Sequence, residues 1–174
     1  MKHVLSFRGA TPQLGSGVYV ASTAVVAGDV TLGDDSSLWF GSVVRGDVGF
    51  VRIGRATNIQ DLSVIHVTGG SANTTIGAEV TVGHRAILHG CTIEDGCLIG
   101  MGAIVLDDAL IGEGSLVGAG ALVTPGMRIP PRSLVLGSPA KVVRPVRDHE
   151  GRMGRDGAAH YVELAREYLA MEAR

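Results

Sequence analysis

The sequence predicts an all-β solenoid: a parallel β-helix of six-residue repeats with one C-terminal α-helix. Three observations carry this expectation. An aliphatic residue recurs every six positions along most of the chain. A small residue sits four places after most of those aliphatics. The 174 residues include 26 glycines, more than twice the usual share, while aromatics make up only 4%. Such a chain turns often and fills its interior with small and branched side chains.

The repeat begins at Val20 and continues through Val26, Leu32, Leu38 and Val44. It resumes at Ile53, Ile59 and Ile65, then at Ile76, Val82 and Leu88. A last run covers Ile93, Ile99, Val105, Ile111, Val117, Val123, Ile129 and Val135, giving nineteen units. A period of six is neither the 3.6 of a helix nor the 2 of a flat strand. It describes a short strand followed by a tight corner, and three such units close a triangular coil of about 18 residues. Successive coils stack about 4.8 Å apart. The aliphatic and the small residue both face inward. Glycine directly after the aliphatic, as at Gly33, Gly54, Gly83 and Gly100, is expected to relieve corners of positive φ.

The register breaks three times. Three extra residues fall between Val44 and Ile53, five between Ile65 and Ile76, and one is missing between Leu88 and Ile93. The second break, Val67 to Thr75, contains Gly69-Gly70-Ser71 and reads as an excursion loop. Residues 1–17, with Pro12, Gly15 and Gly17, read as an irregular N-terminal arm. The β-helix is expected over 18–140, and 141–174 as a connector and helix. Tyr161, Leu164, Ala165, Tyr168 and Met171 make one apolar stripe on that helix, from Ala158 to Met171.

A net charge of −2 and the absence of a Lys/Arg run give no reason to expect nucleic acid. Cys91 and Cys97 form no CxxC pair and read as buried thiols. No apolar run approaches the roughly 20 residues of a membrane helix. The N-terminus lacks the apolar region of a signal peptide. These features predict a cytoplasmic protein with no membrane partner.

Units three apart share a wall. Arg45, His66 and His89 each follow the aliphatic of units five, eight and eleven, so they form a ladder on one wall. Asp61 and His84 are second after the aliphatic of units seven and ten, so they form a ladder on the next wall. Three imidazoles binding one zinc must each place a nitrogen about 2.0–2.1 Å from it. Two walls of one prism face away from each other, whereas a threefold ring brings one wall of each chain against the next wall of its neighbour. The expectation is a homotrimer with His66 and His89 from one chain and His84 from the adjacent one.

The stretches VVRGDV, IGRATNIQDLSVIHV and TIGAEVTVGHRAILHGCTI, with GMGAIV and GSPAKVVRPV, resemble the γ-class carbonic anhydrases and their bacterial hexapeptide relatives. The resemblance covers nearly the whole chain. It implies a left-handed winding, a homotrimer, and His66, His84 and His89 as ligands of zinc, with iron or cobalt as alternatives. It implies inter-subunit ion pairs from Arg45 and Asp47. It gives Gln60 to the metal-held water and Asp61 to orientation nearby. The activity implied is reversible hydration of CO2 to bicarbonate by hydroxide generated on the metal. The glutamates that shuttle protons in well-known members correspond here to Val48 and to Thr68, Gly69 and Gly70. Tyr161 or His160 on the terminal helix could line the site. Two other functions use the same scaffold: acyl transfer or acyl-CoA hydrolysis, and a metal-binding trimeric scaffold with little activity.

Overall fold

The computed structural model describes residues 3–173. The chain winds as a parallel β-solenoid, and a helix, α1 (Met153–Glu172), lies along it. Two-residue strands alternate with corners, as at Asn58–Ile59, Thr81–Val82, Leu98–Ile99 and Leu116–Val117. Each pairs in parallel with the strand one coil away, so that Ile59, Val82, Ile99 and Val117 stack in one column. The repeating aliphatics from Val26 onward are buried, Val20 only partly, and the small residues four places on are buried from Ala24 to Ser133. Where the small residue carries a hydroxyl, the backbone usually accepts its proton. Ser63 Oγ donates to the Gly83 carbonyl (3.0 Å), and Thr57 Oγ1 to that of Gly77 (2.8 Å).

The glycines correct one expectation. Gly33, Gly54, Gly83 and Gly100, directly after the aliphatic, do not adopt positive φ. They let neighbouring coils touch. A Cβ on Gly100 would lie 2.5 Å from the Ala119 amide nitrogen, and one on Gly33 2.5 Å from that of Arg55. Positive φ falls instead three places after the aliphatic. Gly41, Gly96, Gly102 and Gly114 occupy that corner, but so do Ala56 (φ 53°), Leu62 (φ 61°) and Arg85 (φ 60°).

The N-terminal arm is more regular than its Pro and Gly content suggests. Val4–Leu5 and Gln13–Leu14 each pair in parallel with Val25–Leu32. Val4–Leu5 lies out of the six-residue period, so no periodic signal announces it, whereas Leu14 stands six places before Val20, stacks on Leu32 and extends the repeat by one unit, with Gly17 at its positive-φ corner. At the other end, Ser133–Gly137 and Ala140–Pro145 form an antiparallel hairpin. Helix α1 starts at Met153, five residues before the expected start at Ala158. Its early glycines allow close contact with the coils: a Cβ on Gly154 would sit 2.2 Å from the Gly96 carbonyl oxygen. Downstream, Tyr161 and Tyr168 pack their rings on Trp39 at 5.1 and 5.4 Å between centroids.

Candidate metal centre

The first register break is a bulge in the long strand Val43–Ile53. Arg45 and Gly46 pair with Ala27 and Gly28, after which the register shifts. Gly46 is required there, since a Cβ would lie 2.3 Å from the Asp29 carbonyl oxygen. The bulge turns Asp47 toward the neighbouring coil. Its carboxylate accepts a bond from Arg45 of the same chain and lies 3.1 Å from His66 Nε2. Partial burial pushes the Asp47 carboxyl up, but the bonds from Arg45 and His66 outweigh it and hold the pKa below the usual range.

His66 and His89 are partners in adjacent parallel strands. Their rings are tilted by 58° to each other, with His66 Nδ1 3.1 Å from His89 Nε2. His89 Nδ1 lies 2.6 Å from Asp107 Oδ1, and the other oxygen of Asp107 accepts a proton from Thr68 Oγ1 at 2.6 Å. These bonds from Thr68 and His89 hold the Asp107 carboxyl low. Each imidazole therefore turns one nitrogen to a carboxylate and the other toward its neighbour. With both outer nitrogens donating to carboxylates, two lone pairs meet at 3.1 Å. A cation relieves that repulsion, and tetrahedral ligands at zinc–nitrogen distance are themselves separated by about 3.3 Å. This donor pair fits a metal.

His84 belongs to a different group. It stands on the next wall with Asp61, and its Nδ1 lies 2.7 Å from Asp61 Oδ2, leaving Nε2 free. Among the described residues, no three His, Cys, Asp or Glu side chains of one chain are grouped to hold a metal ion. The fold thus brings together Arg45, Asp47, His66 and His89, and separately Asp61 and His84.

Gln60 is buried, 6% exposed, and a chain of bonds fixes its amide. Thr81 Oγ1 gives its proton to the Gly154 carbonyl (2.8 Å), so it accepts from Asn58 Nδ2 (3.0 Å). Asn58 Oδ1 then faces Gln60 Nε2 at 3.1 Å, which leaves Gln60 Oε1 as a free acceptor. Gln60 lines a cavity of about 280 Å³ with Gly83, Gly100, Met101 and Met153. Tyr161 packs its ring against Trp39. Burial, and then the charge of Asp61, push its hydroxyl pKa up.

Asp107 and Thr68 join the site from outside the sequence motifs. The signal was present, since Asp107 follows Val105 by two, and Val105 stacks on Leu88 beside His89. The walls also carry an outward apolar column. Val25, Val43, Val64, Ile87, Ile104 and Leu122 stack in register on the wall of His66 and His89. Val64 and Ile87 are 37% and 38% exposed, and Leu62 and Met101, at the corners beside Asp61 and His84, are each 61% exposed. No helix of the described residues is long and apolar enough to cross a membrane.

The family signature described as "Bacterial transferase hexapeptide (six repeats)" matches residues 90–125. The chain is 46% identical to Protein YrdA of Escherichia coli, over 94% of this chain and 92% of the relative. It is 51% identical to a "Probable carbonic anhydrase" of Methanocaldococcus jannaschii, over 85% of this chain and 92% of that one. Among solved structures, a hexapeptide transferase family protein from Anaplasma phagocytophilum superposes with a TM-score of 0.90 at 38% identity, covering 97% of this chain and 99% of the other. Solenoid, histidine-bearing walls and full-length similarity agree: the chain belongs to the γ-class carbonic anhydrase-like proteins of the hexapeptide-repeat family.

Proposed function

We propose that the protein is a γ-carbonic anhydrase-like enzyme that catalyses CO2 + H2O ⇌ HCO3⁻ + H⁺ at a metal site shared between the chains of a left-handed β-helical homotrimer. One observation carries the reading: three histidines on two adjacent walls each have one nitrogen held by a carboxylate, with the other nitrogens of His66 and His89 facing each other and that of His84 unpartnered. Metal-binding histidines are fixed in this way by a partner on the outer nitrogen. His66 and His89 of one chain and His84 of its neighbour would hold the ion. The apolar column on the His66/His89 wall supports the assembly, because large aliphatics exposed in register mark a contact surface.

Zinc suits three imidazoles, and iron or cobalt would be held by the same donors. When bound, such an ion lowers the pKa of water to about 7 and so supplies hydroxide at neutral pH. The chain's residues do the rest. Asp47, Asp61 and Asp107 fix the three ring orientations. Gln60, locked through Asn58 and Thr81, offers Oε1 as an acceptor that orients a water O–H. Apolar Leu62, Val64, Ile87 and Met101 exclude bulk water once the chains meet. The CO2 substrate is small and apolar, which suits a site walled by such side chains.

Metal analysis and stopped-flow CO2 hydration on protein purified without added zinc test this. The expected result is about one metal per chain and hydration that is lost in His84→Ala. Hydration that persists in His84→Ala refutes the metal mechanism. Metal without hydration at any pH supports a binding scaffold. Turnover of acyl-CoA supports the acyl-transfer alternative.

A further inference from the structure

We infer that Asp107 is a positioning residue for the metal centre, setting the orientation and basicity of His89, and that Thr68 in the excursion loop holds Asp107 in place. The inference rests on the metal reading above and deepens it at a residue outside the histidine, RGD and QD motifs.

Three features of the geometry converge. Asp107 Oδ1 lies 2.6 Å from His89 Nδ1, which directs His89 Nε2 toward His66. The second oxygen accepts from Thr68 Oγ1 at 2.6 Å, so the carboxylate is held from both sides. Gly90 leaves the space this requires: a Cβ there would sit 2.4 Å from Asp107 Oδ1 and 2.7 Å from the Ala72 Cβ. The surrounding backbone is also tied down. The Asp108 amide donates to the Gly90 carbonyl at 2.7 Å, and the Gly90 amide is 2.9 Å from Thr74 Oγ1. Thr74 Oγ1 in turn donates to the His66 carbonyl at 2.6 Å. The loop between Val67 and Thr75 thus grips both histidines from behind. An ionised carboxylate on Nδ1–H makes Nε2 a stronger donor to a cation and removes the ring-flip freedom that binding would otherwise have to suppress.

The full-length protein tests this with Zn²⁺ alone, by competition against a chromophoric chelator, and with Co²⁺ for its visible absorption. Asp107→Ala is expected to bind Zn²⁺ about 10- to 100-fold more weakly than wild type. Asp107→Asn keeps an acceptor without the charge and is expected to fall between the two. The Co²⁺ bands are expected to shift in Asp107→Ala, which a purely structural role at unchanged coordination would not produce. Unchanged Zn²⁺ affinity and an unchanged Co²⁺ spectrum in Asp107→Ala overturn the inference. If Asp107→Ala fails to assemble, Thr68→Val reads the same coupling. A smaller loss of affinity supports it, and wild-type affinity overturns it. Wild type and His84→Ala separate the two levels of the argument. Equal Zn²⁺ binding by those two removes the metal reading itself, whereas tight binding only by wild type leaves Asp107 judged on its own variants.

Discussion

Subunit complementation tests the cross-chain site most directly. His66→Ala removes a ligand from one wall, and His84→Ala removes one from the next. Each variant alone is expected to hold almost no tightly bound metal, since every site in its trimer lacks one imidazole. Mixed trimers behave differently. In a ring, each site takes His66 and His89 from one chain and His84 from the next. A site is whole only where a His84→Ala chain is followed by a His66→Ala chain. Around a ring of three containing both kinds, that junction occurs once, whether the ratio is two to one or one to two. Trimers co-expressed with two affinity tags and purified over both are therefore expected to carry about one metal per trimer, against about three in wild type. Composition does not alter the figure, so random assembly needs no correction. Inductively coupled plasma mass spectrometry on the dual-tagged fraction reads it. Metal content at the level of the single variants would refute the shared site, because a centre built within one chain cannot be rescued by a neighbour.

Ile87→Asp is expected to turn the trimer into monomers in sedimentation velocity and to abolish metal binding with His66, His84 and His89 intact. Burying the exposed 38% of Ile87 is worth about 0.6–1.1 kcal/mol per contact, and a carboxylate there adds a desolvation cost. Gly100→Ala is expected to destabilise the chain by about 1–3 kcal/mol, because its Cβ meets the next coil. Ala56→Gly is expected to stabilise it by up to about 1 kcal/mol, as relief of a left-handed corner exceeds the added freedom of the unfolded chain. Thermal melts at one fixed protein concentration check both signs. Glu150 is held at a pKa of about 2 by the Arg144 guanidinium and the Arg147 amide, below its ordinary 4.5. Its stabilisation is therefore full above pH 4.5 and is lost as pH falls toward 2. The melting difference between wild type and Glu150→Gln should shrink across that window.

The six-residue period made the walls legible because inward aliphatics and small residues obey one steric rule at every coil. It also placed His66 beside His89 and His84 beside Asp61, since register alone decides that. Other features do not repeat, and those were hidden. The strand Val4–Leu5 borrows its pairing from Val25–Leu32, so nothing in its own sequence marks it, whereas Leu14 does keep the six-residue spacing and was hidden only by the Pro and Gly around it. The early start of α1 was masked by Gly154 and Gly157, which look like linker residues but are small because the helix lies against the coils. Asp107 was overlooked because an aspartate at a corner is usually a turn residue.

The glycines show why a correct pattern can carry a wrong cause. Glycine after the aliphatic recurs in the sequence, and a corner needing positive φ is the usual explanation of recurrent glycine. Yet Leu62 and Arg85 adopt positive φ, while Gly83 and Gly100 do not. The two demands fall two residues apart within each unit. Positive φ is a local cost of roughly 1–2 kcal/mol, which a well-packed coil can carry on a side chain that has a use. A Cβ 2.5 Å from the next coil's backbone has no such compensation, because moving it would open the coil spacing that every parallel pair depends on. Strain is therefore tolerated at the corner residue and clash is excluded at the glycine. That tolerance lets side chains stand at the corners beside Asp61 and His84, where the proposed interface needs Leu62 to face the neighbouring chain.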